Sequence, residues 1–186
     1  TIVAAAFEEF LEHGYARGTT ASVAQRAGLS KVTLFRYFDS KDALFEAVIQ
    51  THIASAAVAL QSSPMLEHES VGEYLLRTVG AAAEVIDSSG RSATARLVIA
   101  EGLEFPLLAQ MYRRYVNDAL LEHFSRLAQL AAEREELKAP ELIEHPALLL
   151  APLWMAMMNN TVIHPEVPMN AKTLFELQVA LLFKMP

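Results

Sequence analysis

Side chains that can bind the phosphates and base edges of a nucleic acid are concentrated in one short run of this 186-residue chain. Arg36 can donate two hydrogen bonds to guanine or bind a phosphate, and Thr33 can bond either group. Val32 and Phe35 could contact the methyl group of thymine, although Phe35 could instead belong to the core. Lysine, tyrosine and threonine side chains nearby suit phosphate contacts, which fix the register of a protein on a duplex. The candidate DNA-contacting residues are Thr20, Lys31, Val32, Thr33, Phe35, Arg36, Tyr37 and Lys41.

Short helices must position these side chains. Gly14 is predicted to end the first helix, and the hydroxyl of Thr19 or Thr20 can cap the second. Gly28 permits a tight turn, and Ser30 can cap the third helix. This is the layout of a helix-turn-helix, which places its second helix in the major groove of DNA. The predicted helices cover about residues 2–13, 20–27, 31–38 and 41–51.

The same run resembles a known family. The segments F-L-E-H-G-Y and T-T-A-S-V-A-Q-R-A-G-L-S-K-V-T-L-F-R-Y-F-D-S-K-D-A-L-F resemble the N-terminal domain of the tetracycline-repressor (TetR) family. Val32, Phe35 and Ala21 depart from the commoner residues of that family. The resemblance implies that the remainder of the chain binds a small inducer and forms a homodimer. It also implies that six residues contact DNA: Thr20, Lys31, Thr33, Arg36, Tyr37 and Lys41.

The distribution of charge agrees with a small phosphate-contacting face. The whole chain has a formal net charge of −7, which argues against general coating of nucleic acid. Residues 13–41, however, contain five cations and one anion, whereas residues 51–186 contain ten cations and sixteen anions. Positive charge is therefore local, as expected for a specific DNA-docking surface on an acidic protein.

Helical spacing recurs through the rest of the chain and strand-like alternation is almost absent. We therefore predict an all-α fold of about nine helices. Ser70 and Glu73 have the spacing of a capping box, and Ser88-Ser89-Gly90 predicts a break. We expect an N-terminal helix-turn-helix three-helix domain at residues 1–50 and a C-terminal helical ligand-binding and dimerisation domain at residues 51–186.

The two last predicted helices are candidates for the dimer interface. The helix at about residues 147–162 is apolar nearly all round, so several of its faces must be buried. One face could contact a second copy of the chain, and the alternative is that both helices are simply core. The predicted interface residues are Leu149, Leu153, Met157, Asn160, Leu174, Leu177 and Leu181.

Candidates for an inducer pocket lie on the helices between these ends. Aromatic and apolar side chains suit an adaptable pocket, although such residues are more often plain core. Arg96 and Glu101 lie in an apolar stretch, and they could recognise a polar ligand group or pair with each other. Ile86 is a further apolar candidate. The predicted pocket residues are Leu75, Val79, Arg96, Glu101, Phe105, Tyr112, Tyr115 and Trp154.

Several classes of function are not expected. The chain has no cysteine, and it carries no Gly-rich phosphate loop, H-E-x-x-H or G-x-S-x-G motif, so we expect no enzyme, no cofactor and no metal site. No uninterrupted apolar run reaches the roughly 18 residues of a membrane span, so we expect a cytoplasmic protein without a membrane partner. The chain begins at Thr1 without Met, and we expect a few residues to precede it.

These features together predict a ligand-responsive transcriptional regulator. The favoured form is a repressor that binds a palindromic, double-stranded operator as a homodimer and is released by a small apolar or amphipathic inducer. Two alternatives stand beside it. The chain could activate transcription or answer to a protein partner, or it could be an all-α binding module or enzyme with a vestigial helix-turn-helix.

Overall fold

A computed structural model describes residues 2–84 and 91–185 of the chain. The predicted all-α fold is confirmed, because every regular element longer than a single bridge in these two ranges is a helix or a helical turn. Strand-like pairing among the described residues consists of one isolated bridge between Leu137 and Phe183. The predicted break at Ser88-Ser89-Gly90 and the pocket candidate Ile86 lie outside the described residues.

The helices follow the sequence signals closely in the N-terminal third. Thr19, Ser30 and Ser40 each accept a hydrogen bond from a backbone N–H in the first turn of the helix that follows. The α-helices are α1 (Ile2–Arg17), α2 (Thr20–Arg26), α3 (Lys31–Phe35), α4 (Lys41–Val48), α5 (Ser55–Ser62), α6 (Val71–Leu75), α7 (Ala81–Glu84), α8 (Arg91–Glu101), α9 (Pro106–Tyr112), α10 (Asp118–Glu133), α11 (Ala151–Met158) and α12 (Ala171–Leu182).

Wider and tighter helical turns join several of these helices. π-Helical turns at Ile49–Ala54, Leu76–Gly80, Arg113–Asn117 and Asn159–Ile163 directly follow α4, α6, α9 and α11. Two 3₁₀ turns, Pro140–Ile143 and Pro146–Leu150, begin at prolines, which fit a first helical position because they lack an N–H. The predicted end of the fourth helix near residue 51 is wrong, because helical backbone continues through Ile49–Ala54 into α5, with no Gly or Pro to interrupt it.

By their internal contacts, the described residues form two compact units. The first unit contains Thr1–Ser55 and Ala93–Asn117, and the second contains Ala56–Ser92 and Asp118–Pro186. The first unit therefore includes the whole of residues 1–50 and adds a later segment, from α8 and α9, that the sequence-based division assigned to residues 51–186. That functional division remains a prediction.

The core of the first unit is built around aromatic rings. The ring centroids of Phe10 and Tyr15 both lie 5.2–5.7 Å from that of Phe45 and from each other. Val23 and Leu34 are fully buried and pack α2 and α3 onto this unit. Burial of each such side chain contributes about 1.5–3 kcal/mol, so these few residues fix the small helices in place.

The core of the second unit is a larger apolar cluster. Its largest fully buried side chains are those of Tyr74, Phe124, Phe175 and Phe183. The predicted capping box is confirmed: Ser70 Oγ accepts from the Glu73 N–H at 3.2 Å, and Glu73 Oε2 accepts from the Ser70 N–H at 2.8 Å. This cap starts α6, which carries Tyr74 into the cluster.

One helical stretch is long and apolar enough to cross a membrane by length and composition alone. Pro146–Ile163 has a mean hydropathy of 1.3 over 18 residues, and 28% of it is buried. Asn159, Asn160 and Thr161 still interrupt its apolar residues, while Pro152 does not end the helical backbone. A core helix of a soluble protein has the same character, so this stretch is weak evidence for a membrane span.

Candidate DNA-binding site

The turn between α2 and α3 has the geometry that a helix-turn-helix needs. Gly28 has a φ of 69°, a conformation that favours glycine. The Gly28 N–H donates to the Gln25 carbonyl at 3.1 Å, and the Leu29 N–H donates to the Ala24 carbonyl at 2.9 Å. These two bonds form a Schellman motif, which ends α2 sharply and satisfies its last carbonyls. The prediction that Gly28 makes the turn is confirmed.

An ion pair between a buried carboxylate and a more exposed guanidinium fixes α2 on α1. Glu9 is only 2% exposed, and its carboxylate lies 3.3 Å from the Arg26 guanidinium. Arg26 also donates to Glu12 at 2.6 Å, and this hydrogen bond holds the pKa of Glu12 below its ordinary value. The three glutamates of α1 look equally solvent-facing in the sequence, so the burial of Glu9 was missed there. Arg26 is engaged within the protein and does not belong to the DNA-contacting set.

The outward face of α3 and the residues just after it carry the candidate DNA contacts. Val32 is 75% exposed, Tyr37 is 69% exposed and Phe35 is 38% exposed. Lys31 and Arg36 are exposed, and the Lys31 ammonium lies 5.7 Å from the centroid of the Phe35 ring. Within the described part of the chain, Arg36 has no acidic partner, so its guanidinium is available to an external anion or base. The structure therefore brings together a mixed apolar and cationic surface.

Two threonines contribute less to this surface than the sequence suggests. Thr33 Oγ1 lies 2.8 Å from Ser30 Oγ, within the N-cap of α3, and its side chain is half-buried. Thr20 is also half-buried, at the first position of α2, while Thr19 is the capping residue. Both hydroxyls lie at helix N-termini, where neighbouring backbone N–H groups also face an anion.

Lys41 has a structural partner that the sequence did not reveal. Its Nζ donates to the Tyr15 carbonyl at 2.8 Å and to the Ala16 carbonyl at 3.4 Å. The same ammonium lies 4.3 Å from the centroid of the Tyr15 ring, which adds a cation–π interaction. Lys41 thus ties the start of α4 to the end of α1, and only part of its donor capacity remains for a phosphate.

The predicted pocket residues fall into both compact units. Leu75 and Val79 lie in the core cluster of the second unit, and Trp154 packs against that cluster. The other five belong to the first unit: Arg96, Glu101, Phe105, Tyr112 and Tyr115. Whether any of the eight residues lines a ligand pocket stays a prediction.

Three of the five contact the N-terminal helices directly. Glu101 accepts hydrogen bonds from the backbone N–H groups of Tyr15 and Ala16, so its carboxylate does not pair with Arg96. The Phe105 ring lies 5.2 Å from the Tyr15 ring. The Tyr115 hydroxyl donates to Glu46 on α4.

Tyr112 and Arg96 differ in their surroundings. Arg96 is exposed. Burial raises the pKa of Tyr112 to about 12, because the phenolate would lose its hydration. A surface groove of about 530 Å³ occurs elsewhere, in the second unit, and it is lined by Leu121, Glu144, His145, Pro146, Ala147, Leu148 and Ala151.

The predicted dimer-interface residues lie at different depths. Leu149 and Met157 are buried within the second unit, so they offer little surface to a second copy. Leu177 is 59% exposed and Leu181 is 74% exposed on α12. Leu153 and Leu174 are half-buried beside a small alanine contact between α7, α11 and α12.

Asn160 is used within its own chain. Its Oδ1 accepts from the Met169 N–H at 2.7 Å, and its Nδ2 donates to the Met169 carbonyl at 2.9 Å. These two bonds fasten the loop between α11 and α12. The neighbouring Asn159 donates to the Val167 carbonyl of the same loop at 2.9 Å.

The geometry defines a class of protein: a helix-turn-helix DNA-binding unit joined to a helical unit. Residues 2–48 match the model of the bacterial regulatory proteins of the tetR family. The nucleoid occlusion factor SlmA of Haemophilus influenzae is 43% identical over 54 residues, which are 29% of this chain and 24% of that protein. The HTH-type transcriptional activator FasR of Mycolicibacterium smegmatis is 40% identical over 52 residues, which are 28% of this chain and 24% of that protein.

A solved structure extends the likeness to the whole fold. Salmonella enterica GusR superposes with a TM-score of 0.76 at 24% identity, over 97% of this chain and 93% of that one. By contrast, the matches to the two curated relatives span only about a quarter of their length. Residues 2–48 therefore form a DNA-binding domain of the TetR family type, and the chain as a whole has the fold of the GusR structure.

Proposed function

We propose that this chain is a ligand-responsive repressor that binds a palindromic operator as a homodimer and is released by a small apolar or amphipathic inducer. The exposed face of α3 carries the proposal. Val32 projects from α3, and Arg36 and Tyr37 from the turn that directly follows it; the cap of this short helix and the turn before it are formed within the protein. A polar and aromatic surface held this firmly matches what a recognition helix needs in the major groove.

The side chains of this face divide into two roles. Arg36 is free to form two hydrogen bonds with a guanine edge, and Val32 and Phe35 are exposed enough to meet thymine methyl groups. Lys31 and Tyr37 suit phosphates, together with the hydroxyls at the N-termini of α2 and α3. Lys41 contributes less than a free lysine would, because its ammonium already bonds two carbonyls.

A second copy of the chain would cover the exposed apolar surface of α11 and α12. Met155, Leu177 and Leu181 are each at least half exposed on these helices, and contact with a second copy would remove their apolar surface from water. A two-fold dimer would place two recognition helices about 34 Å apart, one turn of B-DNA. The expected operator is therefore a palindrome with half-sites about 10 base pairs apart.

The inducer is expected to be apolar or amphipathic, because the candidate pocket residues are mostly apolar and aromatic. A panel of fatty acids, aromatic acids and sugars, tested for a rise in melting temperature and for release of bound DNA, checks this class. A ligand that stabilises the protein and releases DNA would support the proposal. Release by sugars alone would contradict the apolar class.

Selection of bound fragments from a random duplex library tests DNA binding itself. We expect enriched fragments that contain a palindrome and bind more weakly as salt rises, because binding releases counterions from phosphates. A library that yields no enriched fragment would favour the alternative, an all-α binding module or enzyme whose helix-turn-helix is vestigial.

The direction of regulation needs its own test. One relative is described as a transcriptional activator, and its likeness covers 28% of this chain. Transcription in vitro from a promoter that contains the selected site should fall when the protein is added and recover with inducer. A rise on addition would assign activation instead. Since its proposed partner is chromosomal DNA, we place the protein in the cytoplasm.

A further inference from the structure

The short turn that follows Gly14 is held by a carboxylate from a distant helix. Gly14 has φ 77° and ψ 171°, so the regular helix of α1 is interrupted there. Glu101 Oε1 accepts from the Tyr15 N–H at 3.0 Å, and Oε2 accepts from the Ala16 N–H at 2.6 Å. The carboxylate thus serves as a cap for the last turn of α1, which the Gly18 N–H closes by donating to the Gly14 carbonyl.

The opposite side of the same turn is held by α4. Lys41 binds the carbonyls of Tyr15 and Ala16, whose N–H groups are the ones that Glu101 takes. The Tyr15 hydroxyl donates to Asp42, also on α4. The backbone of Tyr15 and Ala16 is therefore held by the Glu101 carboxylate, at the end of α8, and by the Lys41 ammonium, at the start of α4.

Gly14 is matched in shape to Glu101. A Cβ added at Gly14 would collide with Glu101 Oε1, so only glycine leaves room for the carboxylate. The conformation of Gly14 is one that residues with a side chain rarely adopt. The space left by the missing Cβ of Gly14 is therefore occupied by the Glu101 carboxylate, which accepts two hydrogen bonds there.

The turn at Tyr15 and Ala16 is connected to the DNA-contacting face through α1 and α2. The ion pair between Arg26 and Glu9 fixes α2 on α1, and α2 leads directly into α3 through the Gly28 turn. Tyr115 adds a second contact from the same later segment, to Glu46 on α4. We infer that Glu101 is a positioning residue for DNA binding, whose carboxylate preorganises the helix-turn-helix by holding the Tyr15–Ala16 turn.

This inference rests on the proposed DNA binding and adds a physical cause for its affinity. Without the cap, the turn and the helices fixed to it sample more orientations, and DNA binding must then order them. The apparent dissociation constant rises as the competent fraction falls. Loss of about one hydrogen bond to a charged group corresponds to roughly a tenfold change.

Glu101→Gln tests the positioning role, with Glu104→Gln as the matched control. The amide replaces one of the two acceptor oxygens by an NH2 group that cannot accept from a backbone N–H, whereas Glu104 lies one turn away on the exposed surface. We expect amide hydrogen exchange at Tyr15 and Ala16 to accelerate about tenfold in Glu101→Gln only. The dissociation constant for a selected duplex should rise about tenfold in the same variant.

A second control separates positioning from general loss of stability. Val179→Ala removes buried volume in the second unit and should lower the melting temperature at least as much as Glu101→Gln does. It should leave the DNA dissociation constant within about twofold of wild type, because that unit does not carry the DNA-contacting face.

Three results would overturn the inference. Unchanged amide exchange in Glu101→Gln would show that the carboxylate does not hold the turn. Faster exchange with wild-type DNA affinity would show that the contact does not position the site. An equal loss of affinity in Val179→Ala would reduce Glu101 to a stability residue. If the wild-type chain selects no duplex, both the proposed function and this role of Glu101 are wrong. The exchange data then still report whether Glu101 holds the N–H groups of Tyr15 and Ala16.

Discussion

Substitution of Gly14 by alanine should destabilise the protein more than a glycine-to-alanine change at a comparable turn. Gly14 occupies a backbone region that is almost exclusive to glycine, and alanine there costs about 1–3 kcal/mol. The new Cβ must also displace the Glu101 carboxylate from the N–H groups of Tyr15 and Ala16. Because Glu101 is partly exposed, water replaces part of these bonds, and their loss adds about 1–2 kcal/mol.

Gly28→Ala is the matched control for this prediction. Gly28 also has a positive φ, 69°, but nothing lies within 4 Å of an added Cβ. Its replacement should cost only the backbone strain, about 1–2 kcal/mol. Gly14→Ala should therefore be the more damaging change, with a total of roughly 2–5 kcal/mol and a fall in melting temperature of roughly 5–15 °C.

Urea unfolding followed by far-UV circular dichroism measures both variants, and a double mutant isolates the contact. In a Glu101→Ala background the collision is absent, so Gly14→Ala should cost about 1–2 kcal/mol less than in the wild-type background. A Gly14→Ala variant no less stable than Gly28→Ala would refute the reasoning. So would strictly additive effects of the Gly14 and Glu101 substitutions.

Three further predictions address recognition, assembly and pH. Arg36→Ala should weaken binding to a selected duplex about tenfold to a hundredfold and reduce its preference over a scrambled duplex in competition titrations; an equal loss for both duplexes would contradict its role as a base reader. Leu181→Glu should yield a folded monomer by sedimentation, while Leu107→Glu on α9, also an exposed position, should leave the dimer intact. Burial raises the pKa of Tyr112 to about 12 from 10.0. The free energy of unfolding therefore has its full Tyr112 contribution below about pH 10, and this contribution is lost as pH rises toward 12. Tyr112→Phe should show a smaller alkaline fall in urea midpoint than wild type, and equal falls would contradict this account.

The N-terminal helix-turn-helix domain was predictable because its capping residues and turn glycine act on neighbouring residues. Ser30 caps the helix that directly follows it, and Gly28 adopts the turn that its freedom permits. The family model covers the same region, residues 2–48. Capping and tight turns depend on neighbours in sequence, which a reader of the chain can see directly.

The partners of later residues were not predictable because they lie far away in sequence. Glu101 and Tyr115 were predicted to line a pocket, which stays a prediction, but their hydrogen bonds to Tyr15, Ala16 and Glu46 were not foreseen. No spacing rule along one helix reports a contact across so many residues.

The sequence also could not predict which residues of an apolar helix are buried and which are exposed. The segment that contains Leu149 and Met157 is apolar nearly all round, so periodicity cannot tell its core face from its exposed face. The structure buries both residues and leaves Leu177 and Leu181 of α12 exposed. Of the predicted interface residues, those on α12 therefore offer the most surface to a second copy.

An equilibrium titration of the selected duplex and a scrambled duplex, at several salt concentrations, tests the central claim most directly. If the face of α3 reads an operator, the affinity for both duplexes should fall linearly with salt on logarithmic axes. The selected duplex should also bind at least about a thousandfold more tightly than the scrambled one. Equal affinity for the two duplexes, or binding that does not change with salt, would contradict the assignment of this surface to specific DNA recognition.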